Sequence, residues 1–279
     1  MTAILSTPTT TSPTTISQPD RRIAVRSGAD DFKAFPAVLK SEWIKLSTLR
    51  ANRAILALTI LAGGFTSWAV ATLITDEVLV VSVVYIYSTV LTAVFAAVAG
   101  ILLFTSEAQH GTLATTLTAQ PARWVIAAAK TVTATTIGLV LGAGGMAAGY
   151  VGAVVGGLEM GDTSGMAATT LWALLFTSLA ALFGLGVGMV VRHGSGAISS
   201  LLVWWLVVEN LLTLFLPATV ARFLPFFAGN GLLAIQSDTA TADSIAVALT
   251  RPENALLFGG YTFALLIIGT VLLYRRDTN

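Results

Sequence analysis

Histidine occurs twice in this 279-residue chain, at positions 110 and 193, and cysteine does not occur. The absence of cysteine excludes disulfides, thiol nucleophiles and thiolate metal sites. Two histidines without suitably spaced carboxylates do not make a metal site. Gly194-Ser195-Gly196 has the form of a serine nucleophile's turn, but Gly and Ser are ordinary turn residues. No histidine lies deep in a later apolar stretch to serve as a base for that serine. The pattern G-x-x-x-x-G-K-[ST] is absent, so the chain has no Walker A phosphate site. Neither a catalytic constellation nor a bound cofactor is expected in this chain, and net charge +1 gives no reason to expect nucleic acid.

One carboxylate falls within a long apolar stretch. Glu209, followed by Asn210, lies in Ala197–Leu216. An ionisable group in hydrocarbon costs about 2.5–3.5 kcal/mol on insertion scales, so it faces a cavity or a partner. Two readings stand: a group on a translocation path, or a hydrogen bond to another span or to the outer segment. Tyr85, with Tyr87, Ser88, Thr89 and Thr92, gives another apolar stretch a weaker polar aspect.

The elements that hold these residues are apolar. Hydrophobic residues make up 55% of the chain and charged ones 10%, against about 25% in a soluble domain, and mean hydropathy is +0.83. A span needs about 20 mostly apolar residues. Six qualify: Arg53–Ile74, Val81–Phe104, Thr131–Val155, Met166–Val191, Ala197–Leu216 and Ala255–Tyr274. The fold class is an all-α integral membrane protein of six spans. Six spans place both termini on one side, and 13 of the 15 Lys and Arg residues fall there. Only Arg222 and Arg251 lie opposite, so the termini are expected in the cytoplasm.

Residues 1–34 are expected to be a disordered cytoplasmic tail, since their Thr-, Ser- and Pro-rich part has no apolar core. Residues 35–276 then form one membrane domain, which leaves no room for a soluble catalytic unit. Ahead of the first span, Phe35, Leu39, Trp43, Leu46 and Leu49 recur at helical spacing over Phe35–Arg50. Lys40 and Lys45 lie off that stripe. A basic amphipathic helix of this kind lies in the membrane interface; packing on the chain's own spans is the alternative. Glu42 falls inside the stripe, which implies a polar or basic partner, or a side chain that snorkels to water.

Glu107 to Trp124 joins the second and third spans. Gly111 ends one helix and Thr112 opens another, so a short helix over about 112–119 is predicted, with Pro121 resetting the chain. Glycine pairs at four-residue spacing (138/142, 145/149, 152/156 and 184/188) predict close helix packing, within the chain or between chains. In the outer segment 217–253, prolines 217 and 225 and Gly229-Asn230-Gly231 break an apolar run. Ala218–Leu224 and Gly231–Ile235 read as short re-entrant helices, with an ordinary surface loop as the alternative.

Three stretches together resemble the permease subunits of type-2 ABC exporters in their bacterial, actinobacteria-like form. They are Ser41-Glu42-Trp43-Ile44-Lys45-Leu46, Glu107…His110-Gly111-Thr112…Leu117, and Arg222-Phe-Leu-Pro225. The resemblance covers about residues 35–276 and departs from the family pattern at Ala108 and Gln109. It implies an entry connector helix carrying Glu42, Trp43 and Lys45, and a coupling helix in the first cytoplasmic loop. In that loop Glu107, His110, Gly111 and Thr112 would position the helix, and Leu113 and Leu117 would meet the partner. It further implies a separate ATPase chain holding ATP and Mg, a homodimer or heterodimer of permeases, and the bacterial cytoplasmic membrane. The expected function is ATP-driven export of an amphipathic drug, peptide or lipid along a path including Glu209, Asn210 and Tyr85. The alternative is an ATP-independent small-molecule transporter or channel.

Overall fold

The computed structural model describes residues 28–48, 50–74, 78–120, 122–235 and 245–275. Among them every regular element is helical. The expected tail over residues 1–27 lies outside the described residues.

Six helices are long and apolar enough to cross a membrane, which makes this a multi-pass membrane protein. The first span is α2 (Arg50–Leu73). The second, Val81–Gln109, consists of α3 (Val81–Val84) and α4 (Thr89–Gln109), interrupted at Tyr85–Ser88. After the short α5 (Thr112–Ala119) come the third and fourth spans, α6 (Arg123–Val155) and α7 (Met166–Val191). The fifth joins α8 (Gly194–Val203) through a π-helical turn, Trp204–Val208, to α9 (Glu209–Phe215). Two short helices follow, α10 (Ala218–Ala221) and α11 (Pro225–Gly231), and then the last span, α12 (Arg251–Arg275). The first helix, α1 (Gly28–Thr48), precedes them all.

Most boundaries differ from the sequence reading by a few residues, and three differences matter for the fold. The helix before the first span begins at Gly28 rather than Phe35, so residues 28–34 are not tail. The third span begins at Arg123 rather than Thr131, because Lys130 is neutralised inside the bundle and does not stop the helix. At 1.5 Å per residue α6 is about 50 Å long, well beyond a hydrocarbon core of about 30 Å. In the outer segment Pro225 starts a helix as its N1 residue, where its missing N–H costs nothing, so Gly229-Asn230-Gly231 is helical.

The second and fourth spans form the centre. Of the most apolar stretch of each, 61% of residues are buried, against 22% in α2 and α12 and 17% in the fifth span. The peripheral helices turn apolar side chains such as Leu61, Phe65, Leu214 and Phe263 outward, as a lipid-facing surface requires. Glycine lets the central pair touch. A Cβ at Gly100 would overlap the Ala181 carbonyl, and one at Gly184 the Ala97 carbonyl. Gly152 likewise meets the Gly64 backbone between α6 and α2. These small-residue contacts lie within the chain.

The face carrying the ends of α2, α4, α6, α7 and α12 nearest the termini is called the terminal face below. There Arg123 donates through Nη1 to the carbonyls of Leu273 and Tyr274, the latter at 2.9 Å. This covers unsatisfied carbonyls at the negative end of α12.

Candidate functional site: an ion quartet, an exposed short helix and a buried carboxylate

Four charged side chains meet at the terminal face. Lys45 Nζ donates to Glu42 Oε1 at 2.7 Å and to Glu107 Oε1 at 2.8 Å. Lys130 Nζ donates to Glu42 Oε2 at 3.1 Å, to Glu107 Oε1 at 2.8 Å and to the Leu103 carbonyl at 3.1 Å. The three acceptors match the three donors of an ammonium. Two carboxylates and two ammoniums therefore form a closed group of zero net charge, linking α1 to α4 and α6. The side chains of Glu42 and Lys130 are each 1% exposed. Burial disfavours the Lys45 charge, but hydrogen bonds to Glu107 and Glu42 outweigh it and hold its pKa above the ordinary lysine value.

The quartet answers one sequence reading: Glu42 has basic partners, and through it α1 touches the chain's own spans. Trp43, counted in the apolar stripe, is 55% exposed, because the buried face of α1 is centred one residue away on Glu42. Sequence reasoning missed Lys130 by placing it in a loop. The signal was available: Glu42 and Lys45 sit on one helix side at i,i+3, and two carboxylates need two cations.

The short α5 forms at its predicted position. Gly111 precedes it with φ 71°, a left-handed conformation that suits glycine. Thr112 donates weakly to the Glu107 carbonyl at 3.4 Å, and the His110 ring Nδ1 lies 2.6 Å from the Ser106 carbonyl oxygen. Leu113 and Leu117 do not face outward as the coupling reading required. Both are buried in a cluster with Phe104, Ile126, Met189 and Leu273, because they are the only large apolar residues α5 has to anchor it to the span ends. The outward side is instead Thr112, Thr115 and Thr118, with His110 and Gly111. Thr115 and Thr118 donate their hydroxyls to the carbonyls of Thr112 and Ala114, at 2.7 and 2.9 Å, which leaves their methyl groups for contact.

Glu209 is 3% exposed. Its Oε1 accepts the Phe227 backbone N–H, at the start of α11. Glu209 stands six residues before the end of α9, roughly 9 Å along the helix axis. The amide it binds therefore lies beside the span, not beyond it. The π-helical turn immediately precedes Glu209, and such turns disturb the regular phase of a helix. Asn210 stitches that turn, donating Nδ2 to the Trp205 and Leu206 carbonyls at 3.1 and 3.3 Å.

A cavity of about 30 Å³ is lined by Glu209, Asn210, Thr213, Asn230, Trp205, Phe226 and Phe227. Among the described residues Asn230 Oδ1 is buried without a hydrogen-bond partner and Glu209 Oε2 has none within ordinary hydrogen-bond geometry, the Trp204 indole being a further polar neighbour of the carboxylate. The space is large enough to hold a water. The Trp205 and Phe226 rings stack at 3.9 Å and 9°. Phe226 also lines an apolar cleft of about 400 Å³ with Phe183, Leu201, Trp204, Tyr261 and Leu265, which sequence reasoning did not find.

Tyr85 is not part of that group. Its hydroxyl lies 3.1 Å from the Met166 carbonyl and 3.0 Å from Thr170 Oγ1, fixing the interrupted second span to α7. Ser195 Oγ lies 3.2 Å from His193 Nδ1, the atom that accepts the Gly196 N–H at the same distance. This contact closes the exposed cap of α8. Among the described residues no cluster of three or more His, Asp or Glu could hold a metal ion.

No protein-family model and no curated protein matches this chain. The fold shows a multi-pass helical membrane protein, with six helices long and apolar enough to cross a membrane.

Proposed function

We propose that this chain is the permease subunit of an ATP-driven exporter of amphipathic molecules, with ATP hydrolysed on a separate chain. The observation that carries the reading is the ion quartet. It fastens α1 to the bases of the second and third spans, on the same face as the exposed threonine side of α5. A push on that face is transmitted to rigid helices and not absorbed by a hinge. The chain supplies no Walker A motif, so energy would arrive through that contact. In this reading the termini are cytoplasmic, α10 and α11 are re-entrant outer helices, and two permeases form the pathway. The apolar cleft between α7, α8 and α12 suits an amphipathic substrate.

A second reading, an ATP-independent transporter, draws on Glu209. A buried carboxylate with an unpartnered oxygen in a span is a common feature of ion-coupled pathways. Inverted vesicles from cells expressing the chain with its partner distinguish the two, with a panel of fluorescent amphipathic dyes as probes. Accumulation that needs ATP and survives a proton ionophore supports the exporter. Accumulation without ATP that the ionophore abolishes supports the second reading.

A further inference from the structure

Between α1, α2 and α6 a groove of about 210 Å³ opens at the terminal end of the bundle. Its cause is the packing of α2 on α6. The two helices are in backbone contact at Gly63 with Gly145 and at Gly64 with Gly152. Toward the terminal face they carry side chains of ordinary size, Ile55 and Leu56 opposite Ile137 and Val140, and so they separate. Leu46 and Trp43 of α1 close the remaining side.

The lining is almost wholly apolar. Asn52 is taken, since its Nδ2 donates to the Leu46 carbonyl at 3.2 Å. Arg53 is different. It lines the groove, is exposed, and has no hydrogen bond or ion pair among the described residues. Arg50, one turn before it, is also exposed. The groove is therefore a chain-shaped apolar slot with an unpaired guanidinium at its mouth and an exposed indole, Trp43, at its edge. Val140 and Leu58, both about half exposed, continue the apolar surface outward into the bilayer.

We propose that this groove holds one acyl chain of an anionic phospholipid from the terminal-side leaflet, with the lipid phosphate on Arg53. Guanidinium and phosphate pair through two parallel hydrogen bonds, and basic pockets between spans select anionic headgroups in this way. A zwitterionic lipid would satisfy the slot but add an ammonium beside Arg53 and Arg50. A second copy of the chain would have to bury Arg53 against an apolar helix face, because the exposed faces of the spans are apolar.

The test uses the full chain, purified in mild detergent without transport substrate and incubated with phosphatidylglycerol or phosphatidylcholine of the same acyl chains. Native mass spectrometry counts the lipid retained. One phosphatidylglycerol per chain, kept several-fold better than phosphatidylcholine, is expected. Arg53→Gln should reduce that retention to the phosphatidylcholine level. Val140→Trp, at an exposed position that narrows the slot, should reduce both. Lys33→Gln, on the exposed side of α1, should change neither. Equal retention of the two lipids by the parent, or undiminished phosphatidylglycerol in Arg53→Gln, would overturn the proposal. So would a groove that retains lipid only in the monomer and loses it as copies associate, which would make it an interface between chains. No ATPase or transport readout enters, so the outcome is independent of the exporter reading.

Discussion

Lys130 Nζ lies 3.1 Å from Glu42 Oε2, joining residues 88 positions apart, and both side chains are 1% exposed. The pair binds a helix outside the spans to the interior of the third span. Removing one member of a buried ion pair costs about 3–5 kcal/mol, because the remaining charge stays buried and unpaired. Lys130→Met should therefore lower thermal stability in detergent sharply. Adding Glu42→Gln to Lys130→Met should recover part of the loss, since one stranded charge is removed. A double variant as unstable as the single one would show that the quartet is not a coupled unit.

Lys45 gives the quartet a defined pH limit. Its pKa is raised in the folded chain, so its contribution is fully present below the unfolded value of about 10.4 and is lost as pH rises through the folded value. Docking of α1, followed by quenching of a fluorophore on a cysteine at Ser41, should stay constant from neutral pH to about 10 and weaken above it. Weakening near pH 8 would contradict the Lys45 pairing.

Much of this was legible in the sequence, and the reasons are physical. Six spans follow from apolar length alone, and α5 from Gly111 and Thr112. Glu42, a carboxylate in an apolar stripe, called for a partner or for a side chain that snorkels to water, and the fold supplies the partner. What stayed hidden depends on three-dimensional placement. Lys130 looked like a loop cation because a buried, neutralised lysine has the same letter as an exposed one. Leu113 and Leu117 fit an outward contact equally well until α5 was seen to have no other anchor. The π-helical turn before Glu209 has no compositional signature, and neither does the groove opened by separation of α2 from α6.

Glu209 separates a structural role from a transport role. Glu209→Gln keeps an oxygen for the Phe227 N–H and removes the charge. It should insert and assemble like the parent, whereas Glu209→Ala should lose about 1–3 kcal/mol of stability by leaving that amide unpaired. If Glu209 lies on a transport path, as the second reading has it, substrate movement should fall in Glu209→Gln. Full export by that variant would confine Glu209 to holding α11.

Membrane orientation is tested in the cysteine-free background by single cysteines at two exposed positions. Thr163 lies between the third and fourth spans and Thr118 on α5. With 13 of 15 basic residues on the terminal side, an impermeant maleimide should label Thr163→Cys in intact cells and Thr118→Cys only after lysis. The reverse pattern would invert the chain.

The central claim is that energy enters through the outward face of α5. Replacing Leu113 and Leu117 with Asp would not test it, because both are buried and the change would disrupt the span ends. Thr115→Asp with Thr118→Asp places charge on the exposed face and leaves the anchor intact. The decisive measurement is ATP hydrolysis by complexes affinity-purified through this chain from native membranes. The account predicts a stoichiometric nucleotide-binding partner and vanadate-sensitive hydrolysis with the parent chain. It predicts loss of both with the double variant, at unchanged insertion and thermal stability. A purified parent complex without a nucleotide-binding partner, or a double variant that keeps full partner binding and hydrolysis, would contradict it.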